Sequence, residues 1–282
     1  MLSYQHAYHA GNHADLLKHL VLREVLTYLK KKPAPVTYVD SHAGDGVYDL
    51  TTALPQRLRE FEGGVARALA YPAPPPEVAA FLEDVRGLPG NEAGRLSTYL
   101  GSPAWAQRWL GPDDRLHLFE QHPQAWAALE AATQGDPRVK RKRADGFEGA
   151  LAVLRSPLKR ALWLLDPAYE RREEDRKVLH AVGAVARQFP QGIALAWYPV
   201  VERARADALL AGLTAATTAP LLQLELGLGP DTPGRGMTAS GMVVLNPPYT
   251  LEVTFRGVLP WLVAALAPEA GFGQLQWLRA AP

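Results

Sequence analysis

Val36-Thr37-Tyr38-Val39-Asp40-Ser41-His42-Ala43-Gly44-Asp45-Gly46 is a short apolar run, closed by an acid and followed by a turn that carries glycines. Such a run bounded by turn residues reads as a buried strand. The glycines after it let a backbone approach a ligand closely. Upstream, Asn12 is a good N-cap and Asp15 an acidic capping-box variant, so a helix is predicted from Asn12 to about Lys31. Leu16, Leu17, Leu20, Val21 and Leu29 fall on one stripe of that helix, and Pro33 and Pro35 end it.

Downstream, the periodicity breaks between about Thr51 and Tyr99, where Tyr71-Pro72-Ala73-Pro74-Pro75-Pro76 forms a turn between two short helical patterns. This stretch reads as a small helical insertion. Strand and helix then alternate: Leu116–Glu120, a helix Gln124–Thr133, a weak strand Val139–Arg143, a helix Phe147–Leu154, the strongly apolar Ala161–Leu165, a helix Glu173–Phe189, a strand Ile193–Trp197 and a helix Val201–Leu213. Alternation of this kind means βαβ units and a parallel sheet covered on both faces. Leu221–Leu226 and Met242–Leu245, joined by a Gly/Pro loop, read as an antiparallel pair at the sheet edge. The predicted class is α/β, with residues 1–50 giving the first helix, strand and glycine loop, 51–100 the insertion and 101–282 the remainder.

Composition narrows the classes. The 282 residues are 48% hydrophobic and 21% charged, which suits a globular chain and not a disordered one. No apolar run approaches the roughly 18 residues of a membrane span. The start has no signal-peptide pattern and there is no cysteine, which fits a cytoplasmic protein without disulfide or thiolate chemistry. The net charge of +1 neither demands nor excludes a nucleic-acid partner. Arg138-Val139-Lys140-Arg141-Lys142-Arg143 reads either as a solvated edge strand or as a phosphate contact surface. Lys30-Lys31-Lys32 closes a helix, where cations suit the dipole in any case.

Ligands of an open parallel sheet bind at the C-terminal ends of its strands. Here those ends carry Asp40 with the loop of Gly44 and Gly46, then Glu120, then Asp145-Gly146-Phe147, then Asp166-Pro167-Ala168-Tyr169. A carboxylate at the end of the second strand suits the two hydroxyls of a ribose, and one after the third can meet an adenine amino group. Together they describe an adenosine pocket. The dinucleotide pattern G-x-G-x-x-G is incomplete, because Gly44-Asp45-Gly46-Val47-Tyr48-Asp49 lacks the third glycine.

Asp166-Pro167-Ala168-Tyr169 resembles the (Asn/Asp/Ser)-Pro-Pro-(Tyr/Phe/Trp) signature of amino methyltransferases. An adenine amine is a weak nucleophile because its lone pair is delocalised into the ring. An acidic side chain and the carbonyl of Pro167 can accept its two hydrogens and turn the lone pair outward, while Tyr169 offers a face to an extruded base. Ala168 departs from the usual second proline. The Pro167 carbonyl is kept, and the loss of rigidity amounts to roughly 0.4–1 kcal/mol. Asn246-Pro247-Pro248-Tyr249 matches the letters better but follows the last strand, where Pro-Pro also serves to end a strand and begin a helix. His6, His9, His13 and His19 lack cysteine or carboxylate partners at metal-ligand spacing, so no metal is expected.

The blocks Met1-Leu2-Ser3-Tyr4-Gln5-His6, His9-Ala10-Gly11-Asn12-His13-Ala14-Asp15 and Lys18-His19 resemble the RlmJ family of bacterial 23S ribosomal RNA (adenine-N6)-methyltransferases. So do Asp40–Gly46, Gly101-Ser102-Pro103, Arg143–Phe147, Asp166–Glu170, Trp197–Val200 and Arg235–Met242. The resemblance implies a class I, Rossmann-like S-adenosylmethionine-dependent methyltransferase with a small inserted helical subdomain. It implies that Asp166 is catalytic, with Pro167 and Tyr169 beside it, and that His19, His42, Ser102, Glu120, Asp145 and Gly146 contact the cofactor; Gly44 and Gly46 join them as the glycine loop read from the strand end. Tyr4 would touch the RNA, with His6 and Lys18 near it. The implied partner is large-subunit ribosomal RNA before full ribosome assembly, with no membrane and no obligate protein partner; the product is S-adenosylhomocysteine. The same resemblance includes a non-catalytic Asn-Pro-Pro-aromatic copy near the C-terminus.

Overall fold

A computed structural model describes residues 4–154, 160–232, 234 and 236–280. Met1, Leu2, Ser3 and Arg235, which carry part of the resemblance, lie outside the described residues. The helix α1 (His13–Lys30) starts where Asn12 accepts the amide of Asp15 through its side chain at 3.0 Å. Asp15 does not close a box onto the Asn12 amide; its Oδ2 accepts from Gly11 N instead, at 2.8 Å. The apolar stripe is buried as expected, but so are His13, Asp15, Lys18 and His19. The first ten residues of this helix, His13–Leu22, are all buried, because the N-terminal segment and the inserted helices cover what periodicity marks as its polar face.

After α1 come β1 (Thr37–Asp40) and β2 (Val47–Asp49), then α2 (Ala53–Leu58), α3 (Arg67–Ala70), α4 (Pro76–Arg86) and β3 (Thr98–Leu100). Strands β2 and β3 form a two-stranded antiparallel ribbon at the base of the inserted helices, which was not legible in the sequence. Val65, Phe81 and Val85 of the inserted segment join the same hydrophobic cluster as Leu17 and Val21 of α1. The chain continues through α5 (Ser102–Trp109), β4 (Arg115–Phe119), α6 (Pro123–Ala132), β5 (Val139–Lys142), α7 (Gly146–Val153) and β6 (Ala161–Leu165). It ends in α8 (Arg172–Gln188), β7 (Ile193–Val200), α9 (Arg203–Ala216), β8 (Leu221–Gly227), β9 (Ala239–Leu245), α10 (Tyr249–Leu266) and β10 (Phe272–Arg279).

Eight strands form one sheet in the order β10-β8-β9-β7-β6-β1-β4-β5. Strands β5, β4, β1, β6 and β7 run parallel, and β9 is inserted antiparallel between β7 and β8. Every residue of β6 is buried, and its pleat splits it between two cores. Leu162 and Leu164 pack with α1 and α10, whereas Ala161, Trp163 and Leu165 pack with α7, α8 and α9. This is why the strand reads as a continuous apolar run and not as an alternation. Strands β8 and β9 pair antiparallel as expected, but they are not the sheet edge. The half-buried β10 covers β8, and β9 lies inside. Strand β5 is the other edge, and its charged alternation is a common guard against further pairing.

Candidate active site

At the C-terminal ends of β1, β4, β5 and β6 lies a cavity of about 760 Å³. A second, of about 830 Å³, opens beyond β6 and β7. Tyr4, Lys18, Asp166, Ala168 and Trp197 line both, so the Asp166 turn is a shared wall.

In the first cavity the glycine loop and the end of β4 are tied together. Gly44, in the left-handed region at φ +63°, donates its amide to Glu120 Oε2 at 2.9 Å. Glu120 Oε1 accepts the amides of Gln121 and His122 at 2.7 and 2.6 Å. A carboxylate anchored by three backbone donors is fixed in direction before any ligand arrives. Asp145 caps α7, accepting from Phe147 N at 2.9 Å, and pairs with Lys177 at 2.9 Å. Burial raises its pKa, but the Lys177 ammonium and the α7 amides overcome this and leave it below the ordinary aspartate range. His42 stacks edge-on against Phe147 at 4.9 Å; burial pushes it down to about 4 against the pull of Asp166 and Asp145, so it is neutral at pH 7.

Of the four acids at the strand ends, Asp40 does not reach either cavity. It is fully buried beneath the floor, accepting from Tyr38 Oη at 2.6 Å and Ser102 Oγ at 2.7 Å. Burial, tempered by these two hydroxyls, pushes its pKa up to about 6. Ser102 itself lines the first cavity, as do Asp145, Gly146, Glu120, His42, Gly44 and Pro167.

The N-terminal segment reaches the shared wall through a chain of polar contacts. Tyr4 Oη lies 2.9 Å from His6 Nδ1, and His6 Nε2 lies 3.0 Å from both oxygens of Asp15. Lys18 Nζ sits 2.8 Å from Asp15 Oδ1 and donates to Asp166 Oδ2 at 2.7 Å. Burial alone would push the Lys18 ammonium down; the two carboxylates reverse this and hold it above the ordinary lysine range.

Tyr169 lines the second cavity only. Its backbone is left-handed, φ +54°, an uncommon state for a bulky residue that turns the chain sharply away from β6. Its hydroxyl donates to the Trp197 carbonyl at 2.6 Å, and the Arg205 guanidinium lies 5.8 Å from its ring. Arg205 in turn is held by Asp175. His9, Asn12, His13 and Glu60 form a polar side of this cavity and Val201, Leu209, Leu228 and Met237 an apolar one. Sequence reasoning did not single out Glu60, Arg205, Val201, Leu209 or Leu228, which come from separate segments; Trp197 and Met237 had entered only as parts of resembling blocks.

Two residues expected to contact the cofactor, His19 from the resemblance and Gly46 from the glycine loop, line neither cavity. His19 is fully buried against Tyr99, with Nδ1 2.8 Å from its hydroxyl. Gly46, at φ +81°, shapes the turn into β2 and its carbonyl accepts from Gly101 N at 2.8 Å. The second motif, Asn246-Pro247-Pro248-Tyr249, is far from both cavities. Leu245 is opposite Ala194 near the start of β7, so the motif leaves the sheet at the N-terminal edge of the parallel strands. There Asn246 donates to the carbonyls of Pro190 and Gly192, and α10 begins. Among the described residues no group of three or more His, Asp or Glu is arranged to hold a metal ion; His6 faces Asp15 and His9 faces Glu60. Of the basic edge stretch, Arg138 is committed to Asp136 and three carbonyls, and Arg141 donates to Thr133, whereas Lys140, Lys142 and Arg143 are exposed.

A parallel sheet with one inserted reversed strand, a glycine loop facing a strand-end carboxylate, and Asp-Pro-Ala-Tyr after the central strand define a class I methyltransferase. The chain belongs to the RlmJ family, since the family model described as "Ribosomal RNA large subunit methyltransferase D, RlmJ" matches residues 33–279. It is 39% identical over 279 residues to ribosomal RNA large subunit methyltransferase J of Escherichia coli K12, covering 99% of each chain. To the protein of the same name from Haemophilus influenzae it is 38% identical over 280 residues, again covering 99% of each. A Legionella pneumophila crystal structure superposes with a TM-score of 0.87 at 32% identity, covering 95% of this chain and 98% of that one.

Proposed function

We propose that this protein transfers the methyl group of S-adenosylmethionine to the N6 amine of an adenine in large-subunit ribosomal RNA, before the ribosome is fully assembled and in the cytoplasm. The observation that carries this reading is the shared wall: one cavity suited to an adenosyl ligand and one suited to a base meet at Asp166 and Ala168.

The first cavity fits the cofactor chemically. Glu120 presents a pre-oriented carboxylate for vicinal hydroxyls, and Asp145 with the start of α7 offers an acceptor and backbone donors to an adenine edge. Gly44 and Gly146 keep the walls free of side chains, His42 and Ser102 line the remainder, and His19 and Gly46 support it from behind. Bound there, the cofactor supplies an electrophilic methyl group on a sulfonium. In the second cavity the target base lies against Tyr169 and Trp197 with its amine toward Asp166. The Asp166 carboxylate and the Pro167 carbonyl accept the two amine hydrogens, which turns the lone pair toward the first cavity. Tyr4 and Lys18 border the base, and His6, which lines the first cavity, stands next to it through its contact with Tyr4. Catalysis rests on this positioning and on fixed dipoles.

The test uses labelled S-adenosylmethionine and protein-free ribosomal RNA from cells lacking this protein, followed by digestion and nucleoside separation. Label in N6-methyladenosine is the expected result. No label, with cofactor binding intact, overturns the assignment, and DNA is the next substrate to try.

A further inference from the structure

Asp15 is buried, with 1% of its surface exposed, and lines neither cavity. As a helix-start residue it needs only one acceptor, and Gly11 N uses Oδ2 for that. Its other contacts serve the site. His6 Nε2 bridges both oxygens, and Lys18 Nζ approaches Oδ1 at 2.8 Å while donating to Asp166 at 2.7 Å. One ammonium is thus divided between two carboxylates, one in the shared wall and one behind it. Sequestering a carboxylate this completely is costly unless its partners are charged or hydrogen-bonded, so the arrangement depends on all three neighbours.

We propose that Asp15 is a positioning residue for methyl transfer, sharing Lys18 with Asp166 and anchoring His6 so that Asp166 remains an effective acceptor for the amine. This rests on the role of Asp166 proposed above. Without the Asp15 charge, the ammonium is neutralised by Asp166 alone. The electron density that should receive the amine hydrogen is then committed to Lys18, and His6 and Tyr4 lose their tether.

The charged and titratable groups facing Lys18 are Asp15 and His19 from α1, Tyr4 and His6 from the N-terminal segment, Asp40 from β1 and Asp166 after β6. Among the described residues, only Asp15 and Asp166 touch the ammonium and hold its proton against burial. Removing one lets Lys18 lose its proton at lower pH.

The experiment compares wild type, Asp15→Asn and Asp15→Glu by calorimetric binding of S-adenosylmethionine and by kcat, KM and pH profile on protein-free ribosomal RNA. Wild-type turnover tests the underlying reading separately. For Asp15→Asn we expect cofactor affinity within about twofold, kcat lower by about tenfold or more, KM changed far less, and a partial recovery of kcat on the alkaline side as Lys18 loses its proton and releases Asp166. Asp15→Glu, which keeps the charge, should recover part of kcat at neutral pH and show no alkaline recovery. Wild-type kcat in Asp15→Asn, a loss confined to KM or cofactor binding, or equal losses in both variants overturns the proposal. If only Asp15→Glu folds, an alkaline recovery of kcat in that variant overturns it.

Discussion

A Cβ atom built on Gly146 would stand 1.5 Å from the carbonyl oxygen of Ser41. The start of α7 is pressed against the loop after β1 backbone to backbone, and no side chain can swing aside to relieve the contact. Gly146→Ala should therefore cost about 3 kcal/mol or more in stability, or force the loop away and abolish cofactor binding. Thermal unfolding and cofactor titration check this; a stable variant with normal affinity would show that the loop yields.

Glu120 should matter to affinity and not to the transfer step. Glu120→Ala removes a charged acceptor and leaves the amides of Gly44, Gln121 and His122 without their partner. On the scale of about 1.5–3 kcal/mol for a hydrogen bond to a charged group, cofactor binding should weaken by about tenfold to a hundredfold. Calorimetry measures it, and the transfer rate at saturating cofactor should change little.

Asp166→Ala should keep cofactor binding and lower transfer by at least about 10²-fold. Lys18 retains Asp15 in that variant, so the fold should survive. Single-turnover transfer to ribosomal RNA is the measurement, and near-normal turnover would remove Asp166 from its role.

Acid should destabilise the protein from neutrality downward. Burial pushes His13 and His42 down to about 4 and His19 down to about 3, from 6.5 in each case. Below pH 6.5 the unfolded chain takes up these protons and the folded chain does not, so stability falls with pH by about 1.4 kcal/mol per unit for each. Asp40 works the other way. Its pKa is raised from 3.8 to about 6, so the folded state binds that proton first and gains between pH 6 and 3.8. Three losses against one gain leave a net fall between pH 6 and 4, which unfolding midpoints against pH would record.

Tyr249→Ala should leave kcat within about twofold of wild type. Tyr249 is 77% exposed at the start of α10, where it meets the ring of Tyr28 edge-on at 5.8 Å, and it lines neither cavity. A large loss of transfer on ribosomal RNA would give this copy of the motif a part that the topology denies it.

The ends of β1, β4 and β6 were legible because each is an apolar run stopped by an acid, and Asn12 announced α1 because its side chain is the cap. The pairing of Lys18 with Asp166 was not, since 148 residues separate them and helical periodicity sets Lys18 on a face that solvent would ordinarily wet. Strand β10 escaped notice because Gln274 and Gln276 break up its apolar residues, and the side it buries is given to it by β8 and α10, not by its own pattern. Asp40 looked like a ligand group because it ends a strand, yet Tyr38, two residues earlier, holds it under the floor. The wall of the second cavity was invisible for a simpler reason. Its residues come from α1, the inserted segment and the β7–α9 and β8–β9 connections, and no local pattern links them.

The reversal of β9 carries a lesson about what a short motif encodes. Asn-Pro-Pro-Tyr and Asp-Pro-Ala-Tyr both follow a buried strand, yet the two strands run in opposite directions and deliver their tetrapeptides to opposite rims of the sheet. Four letters specify a turn and a set of hydrogen-bonding groups. The sense of the strand before them decides whether that turn meets a ligand or starts a helix, and that information is written in the pairing partners, far away along the chain.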